Sequence, residues 1–217
     1  MAVLWLSPHA ERHAGPVRKI GHVGTPATAR ALSLEDSDLG SEGPALDALC
    51  QCLRNNAITL QHLNLRDCCL EVDGIAAVLS ALQQPNNTHT GTTTTLQHLD
   101  LGCNWALGQR GGVVLRDFVT TPHATALEVL ILDANELGDD GVTAIVEGLA
   151  QSNNNVLYTL NLEANEIKRD GAVALLRNRI ASLRTLILLD NDNDNALPAE
   201  SVQQLQAMHA TVEVDED

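Results

Sequence analysis

One short pattern returns along this chain roughly every thirty residues, and it limits the possible folds more than any single residue does. Reading from Leu60, it runs Leu60-Gln-His-Leu63-Asn-Leu65, followed by Cys68, Leu70 and Gly74. The same frame gives Leu96, Leu99, Leu101, Asn104, Leu107 and Gly111, then Leu127, Leu130, Leu132, Asn135, Leu137 and Gly141, then Leu157, Leu160, Leu162, Asn165, Ile167 and Gly171. A weaker copy precedes these (Leu32, Leu34, Ser37, Leu39, Gly43), and a degenerate one follows (Leu183, Leu186, Leu188, Asn191). The intervals are 31, 36, 31, 30 and 26 residues. The longest contains the polar stretch 83–95, which reads as a looped-out insertion.

Each position in the pattern has a physical job. Leucines two residues apart, such as Leu63 and Leu65, point to one face of a short strand, and that face is expected to be the core. The Asn or Cys three residues on falls where the chain turns inward. A short polar side chain there can satisfy backbone groups that have lost their strand partners. Cys68, Asn104, Asn135, Asn165 and Asn191 are therefore expected to form a ladder between successive units. The glycine four residues past the next leucine is expected to open a helix. After it, apolar residues recur at helical spacing: Ala77, Val78 and Leu82; Val114, Leu115 and Val119; Ala144, Ile145 and Leu149; Ala174 and Leu175, with Ile180 one step late. Each unit is then strand, turn and helix, and none buries its apolar side without neighbours. Only four residues are aromatic, in a chain that is 44% hydrophobic. An aliphatic, repetitive stack fits that composition better than an irregular globule.

The motif Leu-x-x-Leu-x-Leu-x-x-Asn/Cys-x-Leu with a following helix resembles the leucine-rich-repeat family, specifically its ribonuclease-inhibitor-like subclass. The resemblance spans roughly residues 29–210. It implies an α/β solenoid shaped as a horseshoe of about six repeats, with parallel strands on the concave face, helices on the convex face, and a role in protein recognition. Fold alone does not settle function. The units Leu132-Asp-Ala-Asn135-Glu-Leu137-Gly and Leu162-Glu-Ala-Asn165-Glu-Ile167 are similar to repeats of Ran GTPase-activating proteins and NOD-like receptors. The GTPase-activating family uses an arginine six residues after the Leu or Ile that follows the ladder position. Ala45, Ala76, Val113, Thr143 and Val173 stand there instead.

Charge and cysteine content narrow the partners. A net charge of −15 disfavours nucleic acid, which needs a basic stripe, and an anionic membrane surface. Residues 1–30 carry Arg12, Arg18, Lys19 and Arg30 against Glu11, a net +3 that leaves −18 for the rest. A protein partner with a basic surface is the electrostatic complement. Five cysteines without a secretory signal do not read as a disulfide framework and suggest reduced thiols in the cytoplasm. The alternative locations are a cilium or flagellum, or an organelle reached by a basic leader. The alternation Asp190-Asn-Asp192-Asn-Asp194 begins like a calcium loop but has Asn195 where glycine is needed and Ser201 where glutamate is needed, so an irregular polar turn is expected. His62 and His98 recur one unit apart and should sit side by side, which a repeated Gln-His-Leu consensus explains without a metal. No catalytic triad, phosphate-cradling loop or carboxylate dyad stands out, so no cofactor, metal or catalytic residue is expected.

The strand residues between the core leucines should face a partner. By this frame they include Arg30, Gln61, Gln97, Glu128, Tyr158 and Arg184 in a first column. A second holds Ser33, Asn64, Asp100, Ile131, Asn161 and Ile187, and a third Glu35, Arg66, Gly102, Asp133, Glu163 and Leu189. Ascending turns add Asp36, Asp67, Glu136, Asp139, Asp140, Glu166 and Asp190. Partner binding is expected to rest on Asn64, Arg66, Asp100, Glu128, Ile131, Asp133, Tyr158, Asn161, Glu163 and Ile187. Residues 1–28 are read as an N-terminal cap or flexible extension, 29–210 as the repeat domain, and 211–217 as a terminal strand or acidic tail. The expected function is a non-enzymatic scaffold or adaptor that is a monomer or a subunit of a larger complex. The alternatives are a Ran-type small-GTPase regulator and a structural subunit of a ciliary or organellar assembly.

Overall fold

The computed structural model describes residues 3–5, 30–56, 59–84, 95–105, 107–191, 197, 199–208 and 211–214. In chain order these form β1 (Val3–Trp5), β2 (Ala31–Ser33), α1 (Pro44–Asn56), β3 (His62–Asn64), α2 (Val72–Gln83), β4 (His98–Asp100) and α3 (Gly108–Val119). A 3-10 turn at Pro122–Ala124 leads to β5 (Val129–Ile131), α4 (Gly138–Gln151), β6 (Thr159–Asn161), α5 (Arg169–Arg177), β7 (Thr185–Ile187), α6 (Ala199–Met208) and β8 (Thr211–Glu213). The eight strands make one parallel sheet in strict sequence order.

Register follows the motif throughout. Leu32, Leu63, Leu99, Leu130, Leu160 and Leu186 pair row by row, and the 36-residue interval before β4 does not shift the pairing. The expected insertion lies mostly outside the described residues. Leu63, Leu65, Leu99, Leu101, Leu130, Leu132, Leu160 and Leu162 are completely buried, as the alternation requires. Neighbouring strands sit about 4.8 Å apart while packed helices need about 8–10 Å, a mismatch that favours the sheet as the inner side of the stack.

Two boundaries differ from the sequence reading. The apolar run near the start contributes β1, paired in parallel with β2, where no strand was expected. The recurring glycines do not open the helices but lie about one turn inside them. Their absent side chains let one turn of chain lie against the next. A Cβ on Gly111 would come 2.6 Å from the Leu107 Cβ, and one on Gly112 would overlap the backbone of Gly141 in the next helix. The inward turns carry a second cost that the sequence hides. Asp36, Asp67, Cys103, Ala134, Ala164 and Asp190, each just before the ladder position, take left-handed backbone angles with φ between 51° and 59°. Alanine has no side-chain hydrogen bond to favour that region, so the surrounding turn must impose it.

What imposes it is the ladder. The Asn104 carboxamide oxygen accepts from the backbone N–H of Cys68 (3.3 Å) and Leu70 (2.9 Å), and its nitrogen donates to the carbonyls of Leu65 (3.0 Å) and Leu101 (2.9 Å). Asn135 accepts from Asn104 N–H at 3.1 Å and donates to Leu101 at 3.0 Å and Leu132 at 2.9 Å. Asn165 and Asn191 repeat the scheme one unit further on each time. At the N-terminal end the Cys68 thiol donates to Leu34 carbonyl at 3.0 Å, and burial pushes it up to about 12, so it remains a thiol. Asn135→Ala should cost about 1–3 kcal/mol in chemical denaturation, because the carbonyls and N–H it serves remain buried without partners. Asn135→Cys should recover part of that loss, since a thiol already fills the Cys68 site.

Candidate protein-binding face

With the central leucine of each strand buried, the residues on either side of it face outward from the sheet. The first of these positions holds Ala31, His62, His98, Val129, Thr159 and Thr185, a column that the sequence frame passed over in favour of the preceding residue. Strands that begin one residue later than the frame explain the difference. The preceding residues sit at the strand entry, where their carbonyls take two N–H groups of the next unit. Gln61 does so for Gln97 at 2.8 Å and His98 at 2.9 Å, and Glu128 for Tyr158 and Thr159. Their side chains still reach the surface: Tyr158 is exposed, and Gln97 donates to Glu128 at 3.1 Å.

The N-terminal half of this face is polar and internally bonded. Arg66 grips Asp133 with two hydrogen bonds, Nη1 to Oδ1 at 2.8 Å and Nη2 to Oδ2 at 2.6 Å. These residues belong to units two apart, so the pair spans the unit between them. Gly102 leaves the space: a Cβ there would lie 2.6 Å from the Asp133 carboxylate and would also overlap the Arg66 guanidinium. Cys103 Sγ lies 3.1 Å from Arg66 Nη2, and Asp100 stands 3.9 Å from Nη1. A half-buried, two-point arginine–carboxylate pair is stronger than an exposed one and fixes both side chains.

This bonding changes the status of several expected contact residues. Asp100 and Asp133 are buried, so their carboxylates are not open to a partner as the sequence reading assumed. Asn64, Asp100 and Asn161 each accept the N–H two residues on, at 2.9 Å in all three cases, which ties off the strand ends. Asn64 also donates to Glu35. Burial raises the Asp100 carboxyl above its ordinary value, partly offset by the Gly102 N–H and Arg66, with the charges of Asp133 and Glu35 adding to the rise. Glu163 is also raised, by burial first and then by Asp133 and Asp190.

Toward the C-terminal half the face gains apolar residues. Val129 and Ile131 of β5 and Ile187 of β7 are partly exposed, with Asn161 of β6 between the two isoleucines; Leu189 follows β7 and the exposed Tyr158 precedes β6. Glu128 and Glu163 remain reachable at the margins of this patch. Two exposed groups escaped the sequence reading. Trp105 is 57% exposed on an ascending turn, and Val156 is 45% exposed before β6. Only their departure from polar neighbours could have marked them. Asn154 was missed as well: it is buried, donates to the carbonyls of Ala124 and Leu127 at 2.8 Å, and accepts from Leu157 N–H, stapling two units on the side away from the ladder. Among the described residues no group of three or more potential metal ligands forms, and no helix is long and apolar enough to cross a membrane. The acidic turn from Asp190 runs beyond the described residues.

Asp100→Asn should keep the turn, as Asn64 and Asn161 do at the same place, while removing a carboxylate that is harder to ionise folded than unfolded. A raised folded-state value costs stability above it and nothing once the group is protonated. The variant should therefore melt higher than the parent at pH 7, and the gap should close as pH falls through the carboxylate range. Thermal melts across that range read both effects.

Comparison with known proteins agrees with this geometry. A leucine-rich-repeat family model matches residues 56–79, 93–115 and 123–146, and each match begins ahead of a strand and runs into the helix that follows it. The chain is also similar to "NACHT, LRR and PYD domains-containing protein 5" of Bos taurus, at 32% identity over 55% of this chain and 12% of that protein. It thus spans about an eighth of that relative's length. The repeat in the residues, the strand-turn-helix unit in the fold and the three matched segments coincide, and the fold is an α/β leucine-rich-repeat solenoid.

Proposed function

We propose that this chain is a non-enzymatic scaffold or adaptor of the ribonuclease-inhibitor-like kind, which holds a protein partner on the sheet face between β5 and β7. One observation carries this reading: the exposed Tyr158 at the entry of β6 is flanked on this face by partly exposed Ile131 of β5 and by Ile187 and Leu189 on and just past β7, with Glu128 and Glu163 at the margin. A rigid aromatic beside aliphatic residues within a charged rim is the arrangement of an interface anchor. The net charge of −15 favours a partner with a basic surface and speeds its encounter. The buried Arg66–Asp133 pair shapes the neighbouring polar half but leaves contact to the residues around it.

In this reading the module works in the cytoplasm as a monomer or as a subunit of a larger complex. The chemistry of the face is recognition, and the arginine that a small-GTPase activator of the Ran type would present is absent from the five matching positions. Affinity purification of the full chain, with bound proteins identified by mass spectrometry, supplies the partner. Tyr158→Ala combined with Glu163→Lys should then weaken binding of that partner about tenfold or more while leaving the melting temperature nearly unchanged. Equal binding by the double variant would place the functional surface elsewhere.

A further inference from the structure

His62 on β3 and His98 on β4 are register partners in the parallel sheet, one directly beside the other on its open face. Their ring centroids lie 5.7 Å apart, with the planes tilted by 35°. His62 is exposed and His98 half-buried. Neither imidazole has a hydrogen bond among the described residues, although their neighbours Gln97, Asn64 and Asp100 are all engaged. Two rings side by side, with ring nitrogens that have no partner among the described residues, invite either solvent or a shared ligand.

We propose that His62 and His98 together chelate a divalent transition-metal ion of the imidazole-preferring group, with water or a partner's side chain completing its coordination. The spacing supports this directly. A metal–nitrogen bond of about 2.1 Å and a ring radius of about 1.1 Å put each centroid roughly 3.2 Å from a shared ion. Coordination angles of about 110–125° then separate the centroids by roughly 5.2–5.7 Å, so the observed spacing needs a shift of at most a few tenths of an ångström. Backbone pairing fixes both Cα positions, which reduces the ordering cost of bringing the two ligands together. Burial and the adjacent His62 lower the His98 value, so that ring is already neutral near pH 7, as a ligand must be. The charged groups along this face are Asp100 two residues beyond His98, Arg66 bonded to Asp133 and 3.9 Å from Asp100, Glu128 at the entry of the strand beside His98, and Arg30 at the entry of the strand beside His62, so charge is nearly balanced there and the imidazole nitrogens carry the affinity. Ions that bind imidazole well, Zn(II), Ni(II) and Cu(II), share this chemistry. Binding exchanges two water ligands for two nitrogens and changes no oxidation state.

The probe is Zn(II) chloride, the ion whose tetrahedral coordination matches those angles, titrated calorimetrically into the full chain at pH 7.5 and compared with His62→Ala and His98→Ala. The expected result is one ion per chain, with affinity falling about tenfold or more in each variant, because either one leaves only a single ligand. Binding should also weaken on acidification, because protons compete with the metal for ligand nitrogens. No binding by the parent chain would overturn the proposal. So would parent-like affinity in both variants, which would assign the ion to thiols such as Cys69 or Cys103. Melting curves without zinc check that the variants fold; His62→Gln and His98→Gln replace any that does not. A missing partner for the β5–β7 face would leave this result untouched, since the titration uses the chain alone.

Discussion

The carboxamides of Asn104, Asn165 and Asn191 each accept from two backbone N–H groups of the preceding unit and donate to the carbonyl at that unit's strand end. Strands of three residues cannot complete their own hydrogen bonding, and the turns that follow them enter left-handed backbone that alanine adopts only under constraint. The ladder answers both problems at once. It supplies partners for the buried groups that the sheet abandons, and it holds each turn at the angle from which the helix departs. Hydrophobic burial supplies the bulk of the driving force and decides which face of each strand turns inward, but it is non-directional and does not choose partners for individual backbone groups. The ladder does choose them, because a slip of one residue would strand several buried donors and acceptors together.

That division of labour frees the open face of the sheet. Core leucines and ladder asparagines determine the unit, so the residues between them can vary without disturbing it. The first half of the face has nevertheless become structural in part. Arg66 reaches across Gly102 to Asp133, and a column of Asn and Asp side chains ties off strand ends. The acidic character seen in composition is thereby divided between groups held inward, such as Asp100 and Asp133, and groups left outward, such as Glu128 and Glu163. Only the outward set contributes directly to an encounter with another molecule.

The fold was legible because its rule is periodic. Leucine spacing determines which face is buried, and Asn at a constant offset marks where the chain turns. The strand at Val3–Trp5 was not legible, since it lacks both the ladder residue and a following helix pattern that would have identified it. Helix starts were misplaced by about a turn because Gly74, Gly111, Gly141 and Gly171 looked like openings. Their purpose is close approach between turns of chain, which depends on neighbours thirty residues away. The candidate face was legible by column but not by accessibility. Whether Asp133 meets solvent depends on an arginine 67 positions earlier and on a glycine in the intervening unit, and no local pattern links those three residues.

A repeat architecture also separates two questions that a globular enzyme joins. In a compact active site the residues doing chemistry are usually held by contacts that also hold the core, so stability and function constrain each other. Here Tyr158, Ile187 and the His62–His98 pair stand on strands whose positions are already settled by what lies beneath them. Rigidity comes free to whatever occupies the open face, and a partner loses little freedom of the protein on docking there. The cost appears elsewhere. Each unit depends on its neighbours for both apolar cover and ladder bonds, so a defect in one ladder residue is felt by the turn before it and by the strand beside it. The same stacking that makes the surface interchangeable makes the layer beneath it intolerant of change.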